Sequence, residues 1–299
     1  MRKVGIWMYQ NGGGTEIEKK IVTRLEEREI KTVTGLDLRF AEAGRDGIVC
    51  RDTKIDELDA FFSYNAGEQT VGQLYMYQVL SGFMPTLNNY AAFALAEDKF
   101  HSNLVMARSG VNTSDFYICH KEQPEGMVKK FEEWGKMVFK PVDGWGGTGM
   151  ALIDSRATLD TLLPFLNKHD SRNIYVERFI QNDYSDFRVD IVDGEFVACY
   201  GRKANDHDWR TNITSGGSVI LREANDEIVS LAKAATKAIG LEIAGVDILY
   251  DQEHEEYVVL EVNGIPAFAT PEQEEFGLDF NDKKIDLIVN MIDRITRKG

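Results

Sequence analysis

The sequence predicts an α/β protein built from three small lobes, and three observations predict it. Short apolar strands alternate with helical repeats along the chain, the pattern that builds layered α/β units. Glycine-rich turns separate the two periodicities. The C-terminal part is dense in strands and carries an Asp-Gly hairpin turn at Val192-Asp193-Gly194-Glu195. A chain of 299 residues, 43% hydrophobic and 28% charged, excludes a disordered or collagen-like protein.

The first lobe spans residues 1–88. Lys3 to Tyr9 reads as a buried strand broken by the turn Asn11-Gly-Gly-Gly14. Thr15 follows as a helix cap, with Glu18 completing a capping box. Ala60 to Tyr64 is a second apolar strand, and Val71 to Gly82 a helix that ends before Pro85. The second lobe spans 89–173. Ala91 to Arg108 reads as one helix. Met137 to Pro141 is a strand that runs into Gly144-Trp-Gly-Gly-Thr-Gly149, and Met150 to Ile153 returns from it, so the glycine run sits in a hairpin. The third lobe spans 174–299. Ile174–Phe179, Phe187–Val192, Glu195–Tyr200, Gly217–Leu221, Ala244–Tyr250 and Tyr257–Val262 read as strands. Asp226 to Ile239 is an amphipathic helix stopped by Gly240. Lys284 to Arg297 places Ile285, Ile288, Met291, Ile292 and Ile295 at helical spacing and should dock on the body.

Lys and Arg total 34 and Asp and Glu 49, so the formal charge is 34 − 49 = −15. That balance argues against a nucleic-acid partner or an acidic membrane surface, yet permits an anionic ligand in a pocket of opposite sign. Three dispersed cysteines, Cys50, Cys119 and Cys199, do not make a disulfide framework and fit a reducing compartment. No run is long and apolar enough for a signal peptide or a membrane span, so a cytoplasmic protein is expected.

Several clusters carry chemistry. Lys140-Pro-Val-Asp-Gly144-Trp-Gly146-Gly147-Thr148-Gly149 brings backbone N–H groups and a lysine to one turn, which suits phosphate. The alternative is a structural hairpin; neither a Walker loop nor a Rossmann fingerprint fits, since both flanks read as strands. Glu261 and Asn263 share one side of an apolar strand, and Asp247 interrupts its expected antiparallel neighbour. Three oxygen side chains so placed suit Mg²⁺ completed by substrate phosphates. Arg202 to Gly217, with Lys203, Arg210 and Asn212, is a cationic loop within an acidic protein; it reads as a substrate cover or as a solvated loop. Glu177 can serve a ribose and Arg188 a phosphate, or each can be half of an ion pair.

In order, Glu97-Asp98-Lys99, Lys140-Pro141 with its glycine loop, Glu177-Arg-Phe-Ile180, Asp186-Phe-Arg188, Arg202-Lys203, Arg210-Thr-Asn212, Gly216-Gly217, Gly245-Val-Asp247 and Glu261-Val-Asn263 resemble the ATP-grasp superfamily, and within it the RimK-type amino-acid ligases. The resemblance covers nearly the whole chain and is densest from Tyr90 to Pro266. It implies an ATP-grasp fold of α+β lobes behind a Rossmann-like N-terminal domain. It implies ATP with Mg²⁺ or Mn²⁺, and joins an acceptor carboxylate, on a small molecule, peptide or protein, to an amino acid such as L-glutamate. Kinase action on a hydroxyl, and nucleotide binding without catalysis, are the alternatives. By the resemblance Lys99 and Lys140 hold phosphates, and Gly144, Gly146, Gly147, Thr148 and Gly149 form the lid. Glu177, Arg178, Phe179 and Ile180 line the adenosine site, Phe179 through its main chain, while Asp186 and Lys203 assist the nucleotide. Asp247, Glu261 and Asn263 bind metal, and Arg188, Arg202, Arg210 and Asn212 face the γ-phosphate and acyl group. Related ligases commonly form homodimers or tetramers. Two features depart from the family pattern: Gly264-Ile-Pro266-Ala267-Phe268 where Pro-Gly is usual, and the bulky Trp145 in the lid, read as a water shield or as strand packing.

Overall fold

The computed structural model describes residues 1–65, 70–144, 146–168 and 172–297; Trp145 lies outside them. Chain order begins with β1 (Lys3–Met8), α1 (Gly14–Glu26), β2 (Lys31–Val33), β3 (Ala41–Gly44), β4 (Gly47–Cys50), β5 (Thr53–Lys54), β6 (Ala60–Tyr64), α2 (Val71–Ser81) and β7 (Thr86–Leu87). Four of these strands form a parallel sheet in the order β2-β1-β6-β7, as the strand–helix alternation requires. The helix α1 starts differently from expectation. Gly13, with φ 88°, holds the cap position without a side-chain bond, and the Thr15 hydroxyl donates instead to the Gln10 carbonyl at 3.1 Å. The next residue must be glycine, because a Cβ on Gly14 would lie 2.1 Å from the Tyr9 carbonyl oxygen.

Two helices follow, α3 (Tyr90–Ala96) and α4 (Lys99–Arg108), where the composition reads as one. Asp98 breaks the run because its carboxylate caps α4, accepting the His101 N–H at 2.9 Å. The break sets Lys99 at the first turn of α4, beside the lid. Next come β8 (Phe116–His120), α5 (Glu125–Trp134), β9 (Met137–Phe139), β10 (Ala151–Ile153), α6 (Arg156–Lys168) and β11 (Asn173–Arg178). They make an antiparallel sheet, β10-β9-β11-β8, with the glycine run joining β9 to β10 as expected. Residues Asn173–Arg178 hydrogen-bond to β8 and β9, so this strand belongs to the same sheet.

The last sheet holds β12 (Ser185–Val192), β13 (Glu195–Lys203), β14 (Ser218–Ile220), then, after α7 (Asp226–Ile239), β15 (Ile243–Asp251) and β16 (Glu256–Asn263). Its order is β14-β13-β12-β15-β16, antiparallel throughout. Asp193 and Gly194 turn β12 into β13 with φ 54° and 76°, the values an Asp-Gly hairpin needs. Helix α7 packs its apolar stripe on Val189, Ile191, Ala244, Val246, Ile248, Val259 and Val262. By strand alternation the opposite face carries Asp186, Arg188, Asp190, Tyr200, Arg202, Asp247, Glu261 and Asn263. One sheet therefore has an apolar face and a charged one.

Two helices close the chain, the short α8 (Pro271–Phe276) and the 16-residue α9 (Asn281–Thr296). Ile285, Ile288, Met291 and Ile292 of α9 share a core with Ile17, Ile21 and Leu25 of α1 and with Phe62, so the C-terminal helix stabilises the N-terminal lobe. Asn88 joins the same two parts. Its side chain donates to the carbonyls of Ile243 at 2.8 Å and Gly264 at 2.6 Å, and accepts the N–H groups of Glu242 at 2.9 Å and Ile243 at 2.6 Å. The three cysteines are free thiols. Among the described residues no helix is long and apolar enough to cross a membrane.

Replacing Asn88 by Ala strands buried backbone groups at the start of β15 and just after β16. We predict a loss of about 3 kcal/mol, read as a lower urea midpoint.

Candidate active site

The charged face of the C-terminal sheet is organised around Asp247. Arg188, its direct neighbour across β12–β15, donates through Nε to Oδ1 at 2.5 Å and through Nη2 to Oδ2 at 3.2 Å. Arg202 approaches from β13, with Nη2 2.9 Å from Asp247 Oδ2 and 2.6 Å from Asp186 Oδ2. Thr211 adds a hydroxyl bond to Asp186 at 2.5 Å. Burial alone would raise the Asp247 pKa, but the two guanidinium groups hold it below the ordinary carboxylate range. Burial likewise opposes charge on Arg188 and Arg202, and the same carboxylates outweigh it. The arrangement needs a glycine on β15: a Cβ on Gly245 would lie 2.7 Å from Pro266 Cβ and 2.8 Å from Arg188 Nη1. That requirement is invisible in sequence, where Gly245 is one residue of an apolar strand.

Glu261 pairs directly across from Asp247, as the short β15–β16 link predicts. Asn263 lies beside them, its Nδ2 3.3 Å from the Gly245 carbonyl oxygen and 3.5 Å from Asp247 Oδ2. The strands slip by one residue between Asp247 and Ile248. That bulge lets consecutive residues Leu260 and Glu261 both line the cleft, against strict alternation. Leu260 joins Ile180, Leu249 and Val258 in an apolar patch. It is a site residue that the sequence reading missed.

Lysines and the glycine loop close the other side. Lys99 Nζ stands 3.2 Å from Glu261 Oε1 and donates to the Gly144 carbonyl. Arg210 donates to the Gly147 carbonyl at 3.0 Å, and Thr214 to the Gly146 carbonyl at 2.7 Å. Gly146 and Gly147 have positive φ, and a Cβ on either would press within 2.8 Å of Thr214 or Asn212. The lid is therefore shut on the cationic loop. Lys99, Lys140, Gly144, Gly146, Gly147, Thr148, Asp186, Arg202, Asn212, Asp247 and Glu261 line one cavity of about 60 Å³, joined by Met150 and Thr211. That volume is far below the roughly 300 Å³ of a ligand pocket.

Other expected contacts are placed elsewhere. Glu177 is buried, and its carboxylate accepts from Lys140 at 2.6 Å, Tyr175 and Ser114 at 2.8 Å each, and Asn103 at 3.3 Å. It holds the Lys140 ammonium group in place. Arg178 binds Asp115 at 3.0 Å and Asp251 at 2.7 Å, tying β11 to the C-terminal sheet. The Phe179 N–H is taken by the Lys136 carbonyl at 3.1 Å, which leaves only the Phe179 carbonyl for a base. Lys203 follows Arg202 on β13 and so faces the other way, exposed and outside the cleft lining. Arg210 is clamped by Asp208 at 2.7 Å, and His207 faces solvent. Gly149 shapes the lid against Pro141, 3.0 Å from a notional Cβ.

The donor set fits a divalent cation. Two carboxylates and an amide are hard oxygen ligands on one face, and Asp247 is held ionised. Glu97, just before Lys99, is pushed up to about 7 by burial and then by the Glu261 charge.

A profile of the RimK-like ATP-grasp domain matches residues 96–293. Tetrahydromethanopterin:alpha-L-glutamate ligase of Methanocaldococcus jannaschii is 30% identical over 72% of this chain and 74% of its own. Ribosomal protein bS6–L-glutamate ligase of Escherichia coli is 29% identical over 67% of this chain and 65% of its own, just under two thirds of that relative's length. Among solved structures, the ATP-grasp ligase PsnB complexed with minimal precursor, Mg and ADP aligns with a TM-score of 0.67 at 17% identity, covering 98% of each chain.

The Glu97 shift sets a pH test. Its native pKa lies above the ordinary glutamate value of 4.5, so the native state holds this proton more tightly. That contribution is complete below pH 4.5 and is lost as pH rises through about 7. Glu97→Gln should match wild type in stability near pH 4 and exceed it by about 3 kcal/mol at pH 8, measured by urea unfolding.

Proposed function

The chain belongs to the RimK-like ATP-grasp family of ATP-using ligases, and we propose that it joins an acceptor carboxylate to an amino acid, L-glutamate foremost, through an acyl phosphate. One observation carries this reading. Asp247, Glu261 and Asn263 share a sheet face with the half-buried Arg188 and the buried Arg202, and Lys99, Lys140 and a glycine lid close over them. Such a site neutralises a polyphosphate and a carboxylate together.

A carboxylate is a poor electrophile. Transfer of the γ-phosphoryl group makes one of its oxygens part of a good leaving group; an amine then attacks the carbonyl carbon and phosphate departs. The protein needs no covalent nucleophile, only positioning and charge neutralisation. Mg²⁺, or Mn²⁺, would be held by Asp247, Glu261 and Asn263 and would supply charge neutralisation on phosphate oxygens. Lys99 and Lys140 bind phosphate oxygens, Lys140 leaving part of its bond to Glu177. Arg202 and Arg188 face the transferring group and the acyl oxygen. Arg210 and Asn212 exchange their lid contacts for the nucleotide when the lid admits it. Gly146, Gly147 and Thr148 then close to exclude water, which would hydrolyse an acyl phosphate. Ile180 and Leu260 give the base an apolar floor.

The reading includes residues 1–88 and the segment from Gly264 as walls of the acceptor and amine pockets. It also takes the lobes as an N-terminal, a central and a C-terminal unit, in a cytoplasmic homodimer or tetramer acting on a small-molecule or peptide acceptor. Nucleic acid and membrane are not partners in it; the charge of −15 supports that.

Purified protein with ATP, Mg²⁺, single amino acids and a panel of acidic acceptors should release ADP and phosphate only with a productive pair, and mass spectrometry should find the amide. A phosphorylated product without an amide would instead make it a kinase; ATP binding without turnover on any acceptor would make it a binding protein. Glu261→Gln should keep the fold and lower turnover by about 100-fold or more. Normal turnover in that variant would remove the metal assignment.

A further inference from the structure

We propose that Lys284, on the C-terminal helix, is a positioning residue for Arg188, acting through Asp190 and the Pro266–Ala267 turn. Lys284 is fully buried. Its Nζ donates to Asp190 Oδ2 at 2.7 Å, to the Pro266 carbonyl at 2.8 Å and to the Ala267 carbonyl at 3.1 Å. Three aromatic rings surround it, with Phe268 nearest at 4.7 Å. Tyr64 donates a second bond to the same Pro266 carbonyl at 2.5 Å. The turn after the metal-site strand is thus held by a charge from α9 and a hydroxyl from β6.

The consequence reaches the cleft through two contacts. Asp190 stands two residues from Arg188 on the charged face of β12 and is anchored by Lys284. Pro266 and the Arg188 guanidinium crowd the same spot above Gly245: a Cβ there would touch Pro266 Cβ at 2.7 Å and Arg188 Nη1 at 2.8 Å. Pro266 is therefore the wall that keeps Arg188 turned toward Asp247, and Lys284 fixes the wall. A buried lysine is a costly way to hold a turn. Apolar packing would fill the space, whereas an ammonium group can bond two carbonyls and a carboxylate at once and so set the turn to within a fraction of an ångström. Asp190 Oδ1, by contrast, has no partner among the described residues, which leaves Lys284 as the cation that compensates this carboxylate directly.

The effect of this clamp on catalysis rests on the ligase reading; the clamp itself does not. The test reads Arg188 directly. In full-length protein carrying ¹⁵N-arginine, the Arg188 Nε–H signal, assigned by its loss in Arg188→Lys, should exchange slowly with solvent because Asp247 holds it. In the double variant Lys284→Met with Asp190→Leu, which replaces a buried pair by apolar side chains, the exchange should quicken at least tenfold while MgATP affinity stays within twofold. Pro266→Gly, which spares the ion pair, should do the same and serves if the double variant does not fold. Arg294→Ala breaks only the exposed pair of α9 with Asp193, at 2.6 Å, and should leave the exchange unchanged. Unchanged exchange in both clamp variants, or equal quickening in Arg294→Ala, would overturn the proposal. With a productive acceptor, the clamp variants should lower kcat and raise the acceptor KM. Absence of turnover in wild type would remove the ligase reading and leave the exchange result standing.

Discussion

A carboxylate buried in a sheet must have its charge answered, and Asp247 is answered twice. Arg188 and Arg202 grip it from the two strands on one side, so three charges stay ionised on a surface that water barely reaches. Desolvation of such a cluster is expensive, and removing one member costs far more than the pair itself contributes. The surrounding structure is arranged to keep the cluster whole. Gly245 yields the space, Pro266 walls it, Asp186 and Thr211 steady Arg202, and α7 seals the opposite face with aliphatic side chains.

The same constraint explains how an acidic protein can accept anions. The excess of carboxylates is an average over the surface, while Lys99, Lys140 and Arg202 line one cleft, Arg188 stands behind them on Asp247, and Arg210 reaches the Gly147 carbonyl at its rim. In the ligand-free arrangement these cations are not idle. Lys140 rests on Glu177, Lys99 on Glu261, and Arg210 on Asp208 and the lid carbonyl of Gly147. Each cation is answered by an internal partner, and the glycine loop lies against the cationic loop.

Much of this was legible from residues. The limits of α7 and its Gly240 cap, the Asp-Gly hairpin, the β9–β10 lid and the meeting of Asp247 with Glu261 all follow from local rules, because each depends on neighbours a few residues away. Misses came from longer range. Asn103, Ser114 and Lys140 meet the Glu177 carboxylate only in the folded chain, a set of contacts that no local pattern marks. Lys203 looked cationic and useful, but alternation turns it from the face that Arg202 occupies. A bulge that no local pattern marks brought Leu260 into the cleft beside Glu261. The last helix was expected on the body, yet only the folded chain shows that it completes the N-terminal core and delivers Lys284 under the site.

As proposed, Asp247, Glu261 and Asn263 hold a divalent cation that works together with the cationic cleft on a nucleotide. Calorimetric titration of the protein with ATP, with and without Mg²⁺, tests it most directly. The account predicts that Mg²⁺ tightens ATP binding by about tenfold or more, because the metal relieves the repulsion between the two carboxylates and the phosphates. ATP affinity that is the same in chelator as in Mg²⁺ would contradict it.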